Sequence, residues 1–173
     1  MRTCFHSVGL PERPLLEVIE LAADAGYAAI EINCETLPWA PPHLTPAADA
    51  GTRRAVVAAA AAHGLPIAAL GAHVAMVSSD PAERAAARSF VAGCIDLAAD
   101  LGAPVVHILS GPIDRGQDRE TAWDWFRVAV QESTAHAAKR GVEPASRPSP
   151  GTSSTRSTTI TGSTRSCPTC PSG

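Results

Sequence analysis

Short apolar runs alternate with amphipathic stretches four times along the first 142 residues, and then the pattern stops. Arg2–Ser7 reads as a first strand. Pro14 opens a helix in which Leu15, Val18, Ile19 and Ala22 follow the i, i+3, i+4, i+7 spacing of one helical face. Gly26 ends it, as a residue that tolerates positive φ. Ala28–Asn33 is the second strand, and Pro38, Pro41 and Pro42 make the next stretch an irregular loop. Thr45 and Pro46 predict a capped helix start with a first-turn proline, the helix running through the alanine block to His63–Gly64. Pro66–Ala72 is the third strand. Asp80-Pro81 restarts a helix that ends at Gly102. Pro104–Ser110 is the fourth strand, and Glu120–Arg140 the fourth helix, closed by Gly141.

Each predicted strand is a near-continuous apolar run, as expected where both faces of a sheet are covered. Strands separated by single helices imply parallel pairing through right-handed crossovers. Two α/β architectures satisfy this, a doubly wound open sheet and a (β/α)8 barrel. No G-x-G-x-x-G follows the first strand, which removes support from a dinucleotide-binding sheet. A complete barrel needs about 250 residues. Four units in 142 residues are therefore about half of one.

From Glu143 the composition changes. The segment 143–173 lacks Leu, Val, Phe and Lys, and roughly half of it is Ser and Thr. Such a tail offers little apolar surface to offset the ordering of its backbone, so disorder is expected. Its C-x-x-C, Cys167–Cys170, has no second pair or flanking fold and reads as accidental.

Charge and length narrow the function classes. The 173 residues carry a formal net charge of -3, and the pI is near 6.0. A nucleic-acid-binding face would show a basic excess instead. No run approaches the roughly 18 apolar residues of a membrane span. The N-terminal segment MRTCFHSVGLPERP lacks the apolar centre of a signal peptide. Cys4, Cys34 and Cys94 stand singly in apolar surroundings and read as buried free thiols, so the cytoplasm is the expected compartment.

The passages Ala22–Ile32 (AADAGYAAIEI), His63–Leu70 (HGLPIAAL), Gly71–His73 before Asp80-Pro81, and Ala98–His107 (AADLGAPVVH) carry a resemblance through their order and spacing. Over residues 1–142 the chain resembles the N-terminal half of the xylose isomerase-like TIM barrel superfamily, which includes sugar phosphate isomerases/epimerases and endonuclease IV-like proteins. The resemblance implies a divalent metal (Mn, Mg, Co or Zn) and a sugar or sugar phosphate substrate. It does not name the substrate.

In a parallel barrel the chemistry sits at the strand C-termini. Those ends offer His6, Glu31, His73 and His107 from four successive strands. A carboxylate and imidazoles converging on one rim suit a divalent metal, or proton transfer at a carbonyl-bearing sugar. By resemblance, His73 and His107 fall at metal-binding histidines of the endonuclease IV-like branch, while His6 and Glu31 are assigned to the substrate pocket. In the epimerase branch the ligands come mainly from strands five to eight. His43, His63 and His136 read as solvated surface, and Trp123 and Trp125 as ordinary packing.

The tail also has a genetic reading. Regrouping plausible codons from Glu143, each triplet starting at the third base of a codon, allows ACEPSFAGHVVNTLDDY and later LPDVPVG. The first resembles this superfamily's fifth strand, with its metal-binding Glu in an E-P dipeptide. Residues 143–173 are therefore read as frameshifted, the alternative being a natural linker. The expected function is that of a sugar phosphate isomerase/epimerase-like protein, truncated and inactive as this chain. The alternatives are an endonuclease IV-like phosphodiesterase, and a non-catalytic half-barrel that dimerises through its open edges.

Overall fold

The computed structural model describes residues 3–147. The expected disorder of the tail beyond Arg147 and the Cys167–Cys170 pair lie outside these residues. The order is β1 (Cys4–His6), a 3-10 turn (Ser7–Gly9), α1 (Leu15–Asp24), β2 (Ala29–Asn33), α2 (Ala50–Ala62), β3 (Ile67–Ala72), α3 (Pro81–Leu101), β4 (Val105–Leu109), α4 (Arg119–Arg140) and β5 (Glu143–Arg147). The five strands form one sheet in the order β1-β2-β3-β4-β5, and every pair is parallel. This is part of a (β/α)8 barrel, five strands and four α-helices among the described residues.

The chain's own punctuation produces the units. Asp80 caps α3 by accepting a hydrogen bond from the Ala82 N–H, with Pro81 in the first turn where its missing N–H is harmless. Asp118 caps α4 in the same way through Thr121. Gly102 and Gly141 then turn the chain with positive φ, at 71° and 70°. The start of α2 differs from expectation. Thr45 and Pro46 precede a turn closed by Ala48 N–H to Thr45 O, and the helix begins after Asp49, whose carboxylate accepts from Thr52 N–H. A free carboxylate three residues ahead of a backbone donor is a better cap than a threonine followed by proline.

Five strands are present where four were expected. Val105, Val106, His107, Ile108 and Leu109 each stand opposite a residue of β5, from Glu143 to Arg147. Glu143-Pro144-Ala145 has no apolar run to announce a strand. It is held by backbone pairing to β4, and a proline is tolerated on a strand with a neighbour on one side. Among the described residues the sheet edges are therefore β1 and β5.

One face of the sheet is buried beneath the helices. Ile30, Ile32, Leu70, Ala72, Val106 and Ile108 pack there against Val18, Ile19, Val56, Val91, Ile95 and Phe126 in one core. Register places His6, Glu31, Gly71, His107 and Ala145 along the other face. That face is more open, and Cys4 on it is exposed rather than buried as expected, while Cys34 and Cys94 are buried free thiols. No helix among the described residues is long and apolar enough to cross a membrane.

Candidate functional site

Side chains alternate across a parallel sheet, so residues of one register row that share a face meet at one end of it. His6 stands opposite Glu31, and Gly71 opposite His107. The structure thus brings all four sequence-derived residues, His6, Glu31, His73 and His107, to the C-terminal rim. Glu31 Oε1 is the common point, 2.8 Å from His107 Nδ1, 3.6 Å from His6 Nε2 and 3.9 Å from His73 Nε2. The His6 and His73 rings stack with centroids 5.9 Å apart.

Gly71 makes this convergence sterically feasible. A Cβ there would lie 2.9 Å from His73 Cε1 and 3.5 Å from His6 Nε2. The middle strand supplies no side chain where three imidazoles and a carboxylate crowd together.

Hydrogen-bond partners assign the tautomers of the neutral rings. A carboxylate only accepts, so His107 Nδ1–H donates to Glu31 at 2.8 Å and leaves Nε2 with a lone pair. His73 Nδ1–H donates to Glu35 Oε1 at 2.8 Å, again freeing Nε2. His6 is the opposite case. Its Nδ1 accepts from the Val8 N–H at 3.2 Å, so the neutral ring carries its proton on Nε2.

Electrostatics follow the same layout. Burial alone would raise the Glu31 carboxyl, but the His107 hydrogen bond and the charge that His107, His6 and His73 carry once protonated in acid outweigh it and hold it below the ordinary range. Burial depresses the His6 imidazole, against the pull of Glu31, so His6 is neutral at physiological pH.

The residues present fit a metal ion. Donor atoms of His6, Glu31 and His73 all lie within 4.8 Å of one another. The two long contacts to Glu31 Oε1, at 3.6 and 3.9 Å, exceed hydrogen-bond length, which suits a cation between the groups. Distance groups His6 with His73, whereas tautomer favours His73 and His107 as the imidazoles with free Nε2 atoms. The two criteria agree on His73 Nε2 alone, since among the described residues His107 is not one of the donors that lie within 4.8 Å of one another.

Glu35 was missed in the sequence because it lies in the β2–α2 loop, where no periodicity marks it. It is 3% exposed, and its Oε2 is buried without a hydrogen-bond partner among the described residues. His43, expected at the surface, is instead half-buried. The Ser7 hydroxyl lies 3.1 Å from its Nδ1, and its Nε2 lies 3.2 Å from Leu10 O. Ser7 Oγ also accepts from Asn33 N–H, so the loops after β1 and β2 are tied together beneath the rim. His136 likewise faces a partner, Asp96 Oδ1 at 3.0 Å, while His63 is exposed as expected. Trp125 packs under Arg84, whose guanidinium carbon lies 3.7 Å from the ring centroid, and Trp123, though 58% exposed, lies against Phe126 with ring centroids 6.0 Å apart.

A sequence profile described as Xylose isomerase-like TIM barrel matches residues 19–161. No curated protein matches the chain significantly. Among solved structures, a D-psicose 3-epimerase with D-tagatose from Clostridium cellulolyticum H10 superposes with a TM-score of 0.67 at 20% identity, covering 83% of this chain and 51% of that one. The IOLI protein with a bound zinc atom gives 0.70 at 21% identity, covering 86% and 51%. A 3-keto-D-glucoside 4-epimerase from E. coli gives 0.67 at 12% identity, covering 84% and 55%. At these identities the likeness is one of fold, and the chain spans about half the length of these structures.

Proposed function

The chain belongs to the xylose isomerase-like TIM barrel family, and from that premise we propose that its rim is part of a sugar isomerase/epimerase centre that moves a proton next to a carbonyl. The observation that carries this is the convergence of His6, His73 and His107 on one Glu31 oxygen at strand C-termini. The structural likeness to epimerases of psicose and of a 3-keto-glucoside supports a ketose or its phosphate as substrate.

In this reading His73 would hold a divalent metal (Mn, Mg, Co or Zn) through Nε2, with His107, held by Glu31, as the second histidine that the resemblance implies. When bound, the metal polarises the substrate carbonyl and stabilises the charge that builds on its oxygen. His6 presents Nε2–H as a donor to a substrate oxygen, in keeping with a place in the substrate pocket. Glu31 stays ionised, fixes His107 and supplies the negative charge that balances the cation. The zinc atom in the IOLI structure supports a metal in this fold.

We further propose that the 173-residue chain alone has little turnover. At the rim, residues 3–147 contribute the free Nε2 atoms of His73 and His107 and two carboxylates, Glu31 and Glu35, each already accepting from an imidazole. Too few fixed donors remain to hold an oxygen-preferring divalent ion in one geometry. In this proposal, reading residues 143–173 in a shifted frame supplies a metal-binding Glu on the fifth strand and the units that would follow it. The test is to assay the chain beside a frame-restored version for ketose epimerisation with Mn²⁺ or Mg²⁺. Turnover by the restored protein alone supports both parts. Comparable turnover by the two refutes the inactivity, and none by either refutes the isomerase reading.

A second reading keeps the half-barrel and completes it with another copy. The free edges of β1 and β5 among the described residues favour it, since unpaired parallel edges invite pairing. A solution mass near the monomer across concentration would exclude this.

A further inference from the structure

We propose that Glu35 is a positioning residue that sets the tautomer of His73, keeping the imidazole proton on Nδ1 so that Nε2 retains its lone pair for a divalent cation. The role of that lone pair rests on the metal reading above, whereas the tautomer itself does not. Glu35 Oε1 lies 2.8 Å from His73 Nδ1, and a carboxylate at that distance can only accept. A neutral imidazole has one donor and one acceptor, so Nε2 is left unprotonated. It stands 3.9 Å from Glu31 Oε1, too far for a hydrogen bond to have claimed it.

Burial makes an incidental contact a poor explanation. A carboxylate that is 3% exposed is costly unless its position does something. Its second oxygen has no partner among the described residues, so the described side-chain hydrogen bonding of Glu35 is spent on this one imidazole. The loop is built to hold it there. Asn33 Nδ2 donates to the Glu35 carbonyl at 2.8 Å, and Cys34 N–H extends the sheet pairing to Gly71 O at 3.0 Å. Gly71 then leaves the space that the His73 ring occupies.

His6 supplies an internal contrast. It stacks on His73 in the same cluster, yet a backbone donor, Val8 N–H, sets it in the reverse tautomer. The two rings are therefore set individually, one by a carboxylate and one by an amide. Carboxylates behind imidazole ligands act in this way, and losing one typically weakens metal binding about 10–100-fold.

The experiment uses the full chain with ¹⁵N-labelled histidine and no metal, at about pH 8, above the ordinary histidine range near 6.5. Long-range ¹H–¹⁵N correlations should show His73 protonated on Nδ1. Glu35→Ala should move the proton to Nε2, and Glu35→Gln, which keeps an acceptor oxygen, should retain Nδ1–H. Co²⁺ titrations followed by absorption should then give about 10–100-fold weaker binding for Glu35→Ala, with most of it recovered in Glu35→Gln. Should the alanine variant not fold, Glu35→Asp, one methylene short of contact, should release the same tautomer. A wild-type His73 protonated on Nε2, or one tautomer in every variant, overturns the proposal. A tautomer switch with no Co²⁺ uptake by any protein removes the metal centre and leaves Glu35 in its role.

Discussion

Glu31 and His107 share a 2.8 Å hydrogen bond although β3 lies between their strands. Gly71 stands beside His107 in the register and has no side chain to obstruct the contact. Gly71→Ala should therefore act on the rim more than on the fold. Its Cβ would meet His73 and His6 ring atoms at 2.9 and 3.5 Å. We expect a stability loss of about 1–3 kcal/mol from overpacking, seen in urea denaturation. Cobalt affinity should fall at least tenfold (an order-of-magnitude expectation for disturbed ligand geometry). Unchanged affinity would mean the glycine is not needed for the cluster.

Acid should destabilise the protein in two stages. His6 has a folded pKa lowered from 6.5, so the unfolded chain binds its proton more readily and stability falls as pH drops below 6.5. Glu31 is lowered from 4.5, so its stabilising contribution is full above that value and is lost as pH falls through the folded pKa. Urea midpoints from pH 8 to 4, compared with His6→Asn and Glu31→Gln, should each lose one arm of this dependence. A His6→Asn curve that parallels wild type between pH 7 and 5 contradicts the assignment.

Thiol labelling should single out Cys4. In a background with Cys167 and Cys170 changed to Ser, a maleimide should modify Cys4 well before Cys34 and Cys94, which are buried. Burial first, and then the Glu31 charge, raise the Cys4 thiol, so its rate should climb as pH rises toward 9 and beyond. Equal labelling of all three cysteines would show that the core opens readily.

Leu70→Ala and Trp39→Ala test the two extremes of burial. Leu70 is fully buried on the central strand, and its truncation should cost about 2–5 kcal/mol. Trp39 is 71% exposed in the β2–α2 loop, and its loss should stay within about 0.5 kcal/mol. A large destabilisation by Trp39→Ala would mean that something covers the loop in solution.

Periodicity and glycine–proline punctuation made four strands, four helices and the rim legible, because strand ends mark where a parallel sheet directs its polar groups. His6, Glu31, His73 and His107 were found by that logic alone. Glu35 was not, since a loop residue has no periodicity and its partner His73 is 38 positions away. The strand at Glu143–Arg147 was hidden because backbone pairing to β4, rather than an apolar run, defines it. Cys4 looked buried because an apolar sequence context does not say which face of the sheet its neighbours cover.

Because the strands pair in the order in which they are translated, every rim residue lies between positions 6 and 107 and belongs to a unit that docks on the one before it. A nascent chain that has released β4 from the ribosome already carries the whole cluster, before α4 and β5 exist. The site is thus a property of the early chain. Substitutions after Arg140 alter what is added to this cluster and leave its founding residues in place.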